Sequence, residues 1–182
     1  MRKPAISALL LLASGCLHRL DGWESNAVGT PGDLPLSTVV HQALPSVVLL
    51  FNSRTDGKTV FGAGLLLGPN GLVLTNLHVV GDSRGVGAIL YRPDLVSYTP
   101  MDGGLDRFLF ENRRHVVAAE IVRSDPTMDL ALVRIEADTS GAPTPKFARD
   151  LPRRGEPVLA LGHPHETVWS FTSGVVSALH FG

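Results

Sequence analysis

"TVFGAGLLLGPNGLVLTNLHVV", residues 59–80, holds two apolar, β-branched runs divided by Pro69-Asn70-Gly71. That tripeptide between short hydrophobic runs is a tight-turn signature, and it predicts a hairpin of residues 59–68 and 72–76. Gly62 and Gly64 would weaken an ordinary strand, so they mark a bulge or a close approach by another part of the chain. The stretch ends on a single imidazole, His78, set between Leu77 and Val79. A lone histidine there is also consistent with a half-buried ring bonded to the backbone. Reading it as a base requires a partner elsewhere in the chain.

Around this hairpin the sequence offers further short β-branched runs at 46–52, 87–91, 115–124, 130–136, 157–162 and 167–179. None keeps a helical period over three turns. With 19 glycines and 13 prolines in 182 residues, the pattern is many strands joined by turns, an all-β barrel or sandwich. Residues 82–114, with Pro93, Pro100, Gly103 and Gly104, read as a long surface excursion carrying at most one strand. Apolar residues make up 44% and charged residues 18%, enough for a core and unlike a disordered chain. The net charge of −1, without a basic stripe, excludes nucleic acid as a partner.

The N-terminus stands apart. "MRKPAISALLLLASGC" has basic Arg2 and Lys3, an apolar segment from Ala5 to Ala13, then small residues. It has the form of a secretory signal over residues 1–15, too short to span a bilayer as a lasting helix. Its end resembles a bacterial lipobox in which Cys16 is lipidated, although Ala13 stands where leucine is more usual. Such an anchor implies an exported lipoprotein of the bacterial cell envelope, tied to the membrane on the periplasmic side. Cys16 is the sole cysteine, so no disulfide forms within the chain. Residues 16–44 read as a flexible tether with a helical turn near 38–43, and residues 45–182 as the globular part.

A partner for His78 is available in "SDPTMDLALVRI", residues 124–135. Asp129 stands at the entrance of an alternating strand in which Ala131, Val133 and Ile135 share one face. Asp125, before Pro126, is the better turn-capping aspartate. "GAGLLLGPNGLVLTNLHVV", "RSDPTMDLALVRI", "GEPVLALGHP" and "SFTSGVVSAL" occur in that order. Together they resemble the successive blocks of trypsin-like serine proteases of the bacterial HtrA/Deg type, over roughly residues 45–182. The resemblance implies an all-β, chymotrypsin-like double β-barrel with the active site between the barrels. It implies His78 as general base and then general acid, and Asp129 as the group that orients and supports it.

The same resemblance implies a serine endopeptidase acting on protein or peptide substrates through an acyl-enzyme, with no cofactor and no metal. It leaves open a homo-oligomer. The family's nucleophile lies in a "GNSGG" block, which is absent from these 182 residues. Ser173, in "TSGVVS", matches a strand position without a catalytic role in the family. The first barrel is therefore expected to be complete and the second truncated to two strands, leaving the chain inactive as it stands. A non-catalytic, protease-like peptide-binding or interaction module of the envelope remains the alternative. His163 and His165 could in principle share a metal, but "GHPHE" fits a polar turn around Pro164 better.

Overall fold

The computed structural model describes residues 7–12, 16–20, 35–54, 57, 59–81, 85–96, 98, 104–164 and 167–179. Its centre is a closed, wholly antiparallel barrel of six strands: β3 (Val47–Ser53), β4 (Thr59–Leu66), β5 (Leu72–Asn76), β6 (Val86–Leu90), β7 (Val117–Asp125) and β8 (Leu130–Ile135). The order around the barrel is β3-β4-β5-β8-β7-β6. The Pro-Asn-Gly turn joins β4 to β5 as the sequence predicts, with Leu65 opposite Leu74 and Leu66 opposite Val73. Gly71 has φ 66°, and a Cβ there would lie 2.7 Å from the Ile135 carbonyl oxygen, so only glycine fits this turn.

Strand β3 explains why its sequence shows no alternation. Val48 and Leu50 fill the barrel with Leu66, Val73 and Val133. On the outer face, Val47 and Leu49 are buried too, in two further apolar clusters. A strand covered on both sides reads as a continuous apolar run.

The second unit is a smaller sheet built on the antiparallel pair β9 (Pro157–Gly162) and β10 (Ser170–Val175). Residues set apart by the sequence as leader and tether also enter it. Backbone strands β1 (Ser7–Leu12) and β2 (Cys16–Leu20) pair antiparallel, and β1 joins β9 in parallel at Ser7 and Ala8. The apolar N-terminal run can extend as a strand, and β9 offers it an unpaired edge. The sheet order is β10-β9-β1-β2. A complete first barrel beside a small, open second sheet is the architecture that the sequence implies.

Helix α1 (Leu36–Ala43) occupies the segment where a helical turn is expected, and it belongs to the packed body. Val40, Ala43 and Leu44 are buried with Val47 and Leu65 of the barrel and Leu159 and Leu161 of β9. The excursion between β6 and β7 departs further from expectation. It carries a two-turn helix, α3 (Gly104–Glu111), with Leu105 and Phe108 buried. Two turns are too few to register as a helical period, so the sequence conceals it. Asn112, 1% exposed, staples the segment: its Oδ1 accepts the Val96 N–H at 2.9 Å and its Nδ2 donates to the Phe108 carbonyl at 2.9 Å. No helix among the described residues is long and apolar enough to cross a membrane.

Trp169 joins the two units. Its indole Nε1–H donates to the Val47 carbonyl of β3 at 2.9 Å, and its ring meets Tyr91 at 5.7 Å and Phe108 at 6.0 Å edge to face. Its φ of 46° is an unfavourable conformation for a bulky residue, so these contacts must hold it. Trp169→Phe keeps an aromatic ring but leaves the Val47 carbonyl without its donor. The expected cost is about 1–3 kcal/mol of unfolding free energy, measurable by urea denaturation.

Candidate active site

Strand β5 ends at Asn76 and turns at once into a single helical turn, α2 (Leu77–Val80), which carries His78. Strand β5 pairs with β8 so that Asn76 lies opposite Leu130. This register places Asp129, the residue before β8, at the start of α2, where its carbonyl accepts the Leu77 N–H at 3.0 Å. Fifty-one positions of sequence are thus closed by one strand pairing.

The Asp129 carboxylate then receives both the backbone and the side chain of His78. Oδ1 accepts the His78 N–H at 2.9 Å, and Oδ2 lies 2.6 Å from His78 Nδ1. Asn76 Nδ2 donates to the same Oδ2 at 3.3 Å and to the Asp129 carbonyl at 3.1 Å. Partial desolvation pushes the Asp129 pKa up. The bonds from the His78 ring and amide, its charge and the Asn76 amide outweigh that, and the carboxyl titrates below its ordinary value. An ionised Oδ2 requires a proton on Nδ1, which leaves Nε2 as the ring's acceptor. The arrangement can therefore accept a proton at Nε2 and stabilise the resulting imidazolium through Asp129.

Val79 and Val80 are buried in the barrel interior, so α2 plugs one end of the barrel and turns His78 outward. Three of its four carbonyls are bonded. Asn52 Nδ2 donates to the Val80 carbonyl at 2.5 Å, Arg54 to the His78 carbonyl at 3.2 Å, and the Gly81 N–H to the Leu77 carbonyl at 2.7 Å. Asn76, Asn52 and Arg54 carry no role in the sequence reading. Asn52 was detectable in principle, because it shares the inward face of β3 with Val48 and Leu50, and a polar residue there must find a partner.

His78 lines a cleft of about 380 Å³ between the barrel and the second sheet, with Gly162, His163 and Pro164 on the far wall. Ser170 and Thr172 also reach it. The Ser170 hydroxyl accepts from Thr167 at 3.2 Å, and among the described residues neither hydroxyl bonds to His78. Ser173 alternates with Thr172 along β10 and so faces away from the cleft. Cys16 opens β2 and pairs across the backbone with Leu12.

His165 lies outside the described residues, while His163, at the end of β9 beside the turn at Pro164, is only 8% exposed. Its Nδ1 accepts the Trp169 backbone N–H at 3.0 Å, and its buried Nε2 has no partner with hydrogen-bond geometry among the described residues. Among the described residues no group of three or more His, Cys, Asp or Glu side chains is arranged to hold a metal ion.

A self-closed antiparallel barrel with an acid-supported histidine on its rim, facing a second sheet across a cleft, is the architecture of the trypsin-like hydrolases. The chain belongs to the family described as trypsin-like peptidase domain, whose model matches residues 62–181. Among curated relatives it is 29% identical to the serine endoprotease DegS of Escherichia coli K12, covering 95% of this chain and 45% of DegS. It is 32% identical to the serine protease PepD of Mycobacterium tuberculosis, over 78% of this chain and 28% of PepD. Among solved structures, the crystal structure of the serine endoprotease from Yersinia pestis superimposes with a TM-score of 0.58 at 25% identity, covering 80% of this chain and 46% of that one. The chain thus spans less than half the length of each of these relatives.

Burial pushes the His163 pKa down to about 4, opposed by the Val48 carbonyl. The folded value lies below the unfolded one, about 6.5. The neutral ring's contribution to stability is therefore fully present above about pH 6.5 and is lost as pH falls towards 4. The loss across that window is expected to be on the order of 3 kcal/mol. Urea unfolding at a series of pH values should show this slope, and His163→Asn should remove that part of it.

Proposed function

We propose that this chain supplies the base-bearing part of a serine endopeptidase of the bacterial cell envelope. The observation that carries the proposal is the 2.6 Å contact between His78 Nδ1 and Asp129 Oδ2 at the cleft rim. In this reading His78 Nε2 takes the proton of a serine hydroxyl as it attacks a peptide carbonyl, then returns it to the departing amine. Asp129 holds the tautomer and stabilises the charged ring. No metal or organic cofactor enters the reaction.

The nucleophile and the amides that stabilise the oxyanion are assigned to residues outside 1–182, because no Gly-Asn-Ser-Gly-Gly block occurs in this sequence. A non-catalytic peptide-binding module is the alternative reading. Relatives named as periplasmic serine endoproteases of the DegP-like kind support export. Residues 1–15 then act as the leader, so that β1 belongs to the precursor, with Cys16 as the acylated anchor on the periplasmic side, protein or peptide as the substrate, and self-association into a homo-oligomer as the working state.

Expressed from its own locus together with the downstream coding sequence, the product should hydrolyse β-casein and react with a fluorophosphonate probe. In that product His78→Ala should lower turnover by at least ~10³-fold, and Asp129→Asn by about 10⁴-fold through the wrong histidine tautomer. Unchanged turnover in either variant would remove the endopeptidase reading. The 182-residue polypeptide alone should remain unlabelled, and a native product equally inert would favour the binding module. Mass spectrometry of that product should find acyl chains on Cys16, and a free thiol on an intact leader would end the lipoprotein assignment.

A further inference from the structure

The two glycines of "FGAGLLL" face the barrel interior, since Gly62 pairs with Leu50 and Gly64 with Val48. They do different things there. A Cβ at Gly64 would meet Leu50 and Val73, which are core side chains remote in role from the cleft. The three atoms nearest a Cβ at Gly62 all belong to Val79: Cγ1 at 2.6 Å, Cγ2 closer still, and Cβ at 3.1 Å. Both methyls and their branching carbon press on the same spot, so no rotation of the isopropyl group clears it. A side chain at Gly62 therefore forces Val79 to give way.

Val79 follows His78 directly in a helical turn of four residues. The turn is tied at its entrance by Asp129 and along its carbonyls by Asn52 and Arg54. These bonds fix its direction, whereas the depth to which it sinks into the barrel is set where Val79 meets the bare backbone of Gly62. We propose that Gly62 and Val79 form a depth stop for this turn, which makes Gly62 a positioning residue for His78. The assignment rests on the reading of His78 as the base supported by Asp129. It implies that one added methyl on β4 withdraws the His78 ring from the Asp129 carboxylate without touching either residue.

The test uses the 182-residue chain labelled with ¹³C and ¹⁵N. Two readouts are the titration of the Asp129 carboxyl carbon and the His78 Nδ1–H resonance, both identified with Asp129→Asn. Gly62→Ala should move the Asp129 midpoint up towards the ordinary carboxylate range and shift the Nδ1–H resonance upfield. Gly62→Ala with Val79→Ala, which returns the lost space, should restore both. Gly64→Ala should lower the unfolding midpoint in urea yet leave both signals in place. If Gly62→Ala does not fold, Val79→Ile presses on the same contact from the other side and should give the same shifts. The depth stop is overturned if Gly62→Ala leaves both signals unchanged, if the double variant fails to restore them, or if Gly64→Ala moves them equally. Should Asp129→Asn itself leave the His78 resonance unmoved, the supported-base reading falls, which is a separate result.

Discussion

The pairing of β5 against β8 is the constraint on which the site depends. With Asn76 opposite Leu130, the end of one strand and the beginning of the other meet at the barrel rim, and Asp129 has nowhere to go but alongside α2. A slip of β8 by one residue would turn Ala131, Val133 and Ile135 out of the core and bring Leu130, Leu132 and Arg134 in. The apolar interior therefore enforces, with every buried pair, the geometry in which a carboxylate reaches an imidazole. Packing energy and site geometry are here the same interaction.

Asp129 itself sits at φ 52°, a left-handed conformation that a non-glycine residue adopts at some cost. Aspartate tolerates it better than most residues, and here its carbonyl and both carboxylate oxygens are engaged. The strain turns the carboxylate back over the helical turn instead of along the strand. Trp169 shows the same trade on the far side of the cleft. It holds a left-handed backbone by giving its amide to His163 and its indole N–H to Val47. Both strained residues lie next to the cleft, and both are held by hydrogen bonds that reach across the structure.

Much of this was visible in the sequence because it is local. Pro69-Asn70-Gly71 announced its hairpin, and the alternation after Asp129 announced β8. The order of four blocks pointed to two units and named His78 and Asp129 together, which no single residue could do. The rest was hidden for identifiable reasons. Helix α3 is too short to declare a period, and its Phe108 is buried by distant partners, Leu49 and Ile89. Nothing near Trp169 signals that a tryptophan will accept a positive φ, because the reason lies 122 positions away at Val47. Gly62 did signal a close approach, but a glycine reports only that space is needed and not which atom fills it. His163 read as part of a polar turn around Pro164, and no sequence feature betrays the edge-to-face contact with Trp169, at 5.1 Å, that helps to bury it.

Barrel closure has a temporal side as well. Every strand that brings His78 and Asp129 together lies between residues 47 and 135, and a closed sheet leaves no edge waiting for later chain. As the polypeptide leaves a ribosome or a translocation channel, this shell can complete itself while residues beyond 135 are still being made. The imidazole and its carboxylate would then be set in advance, and the second sheet would assemble against a finished template.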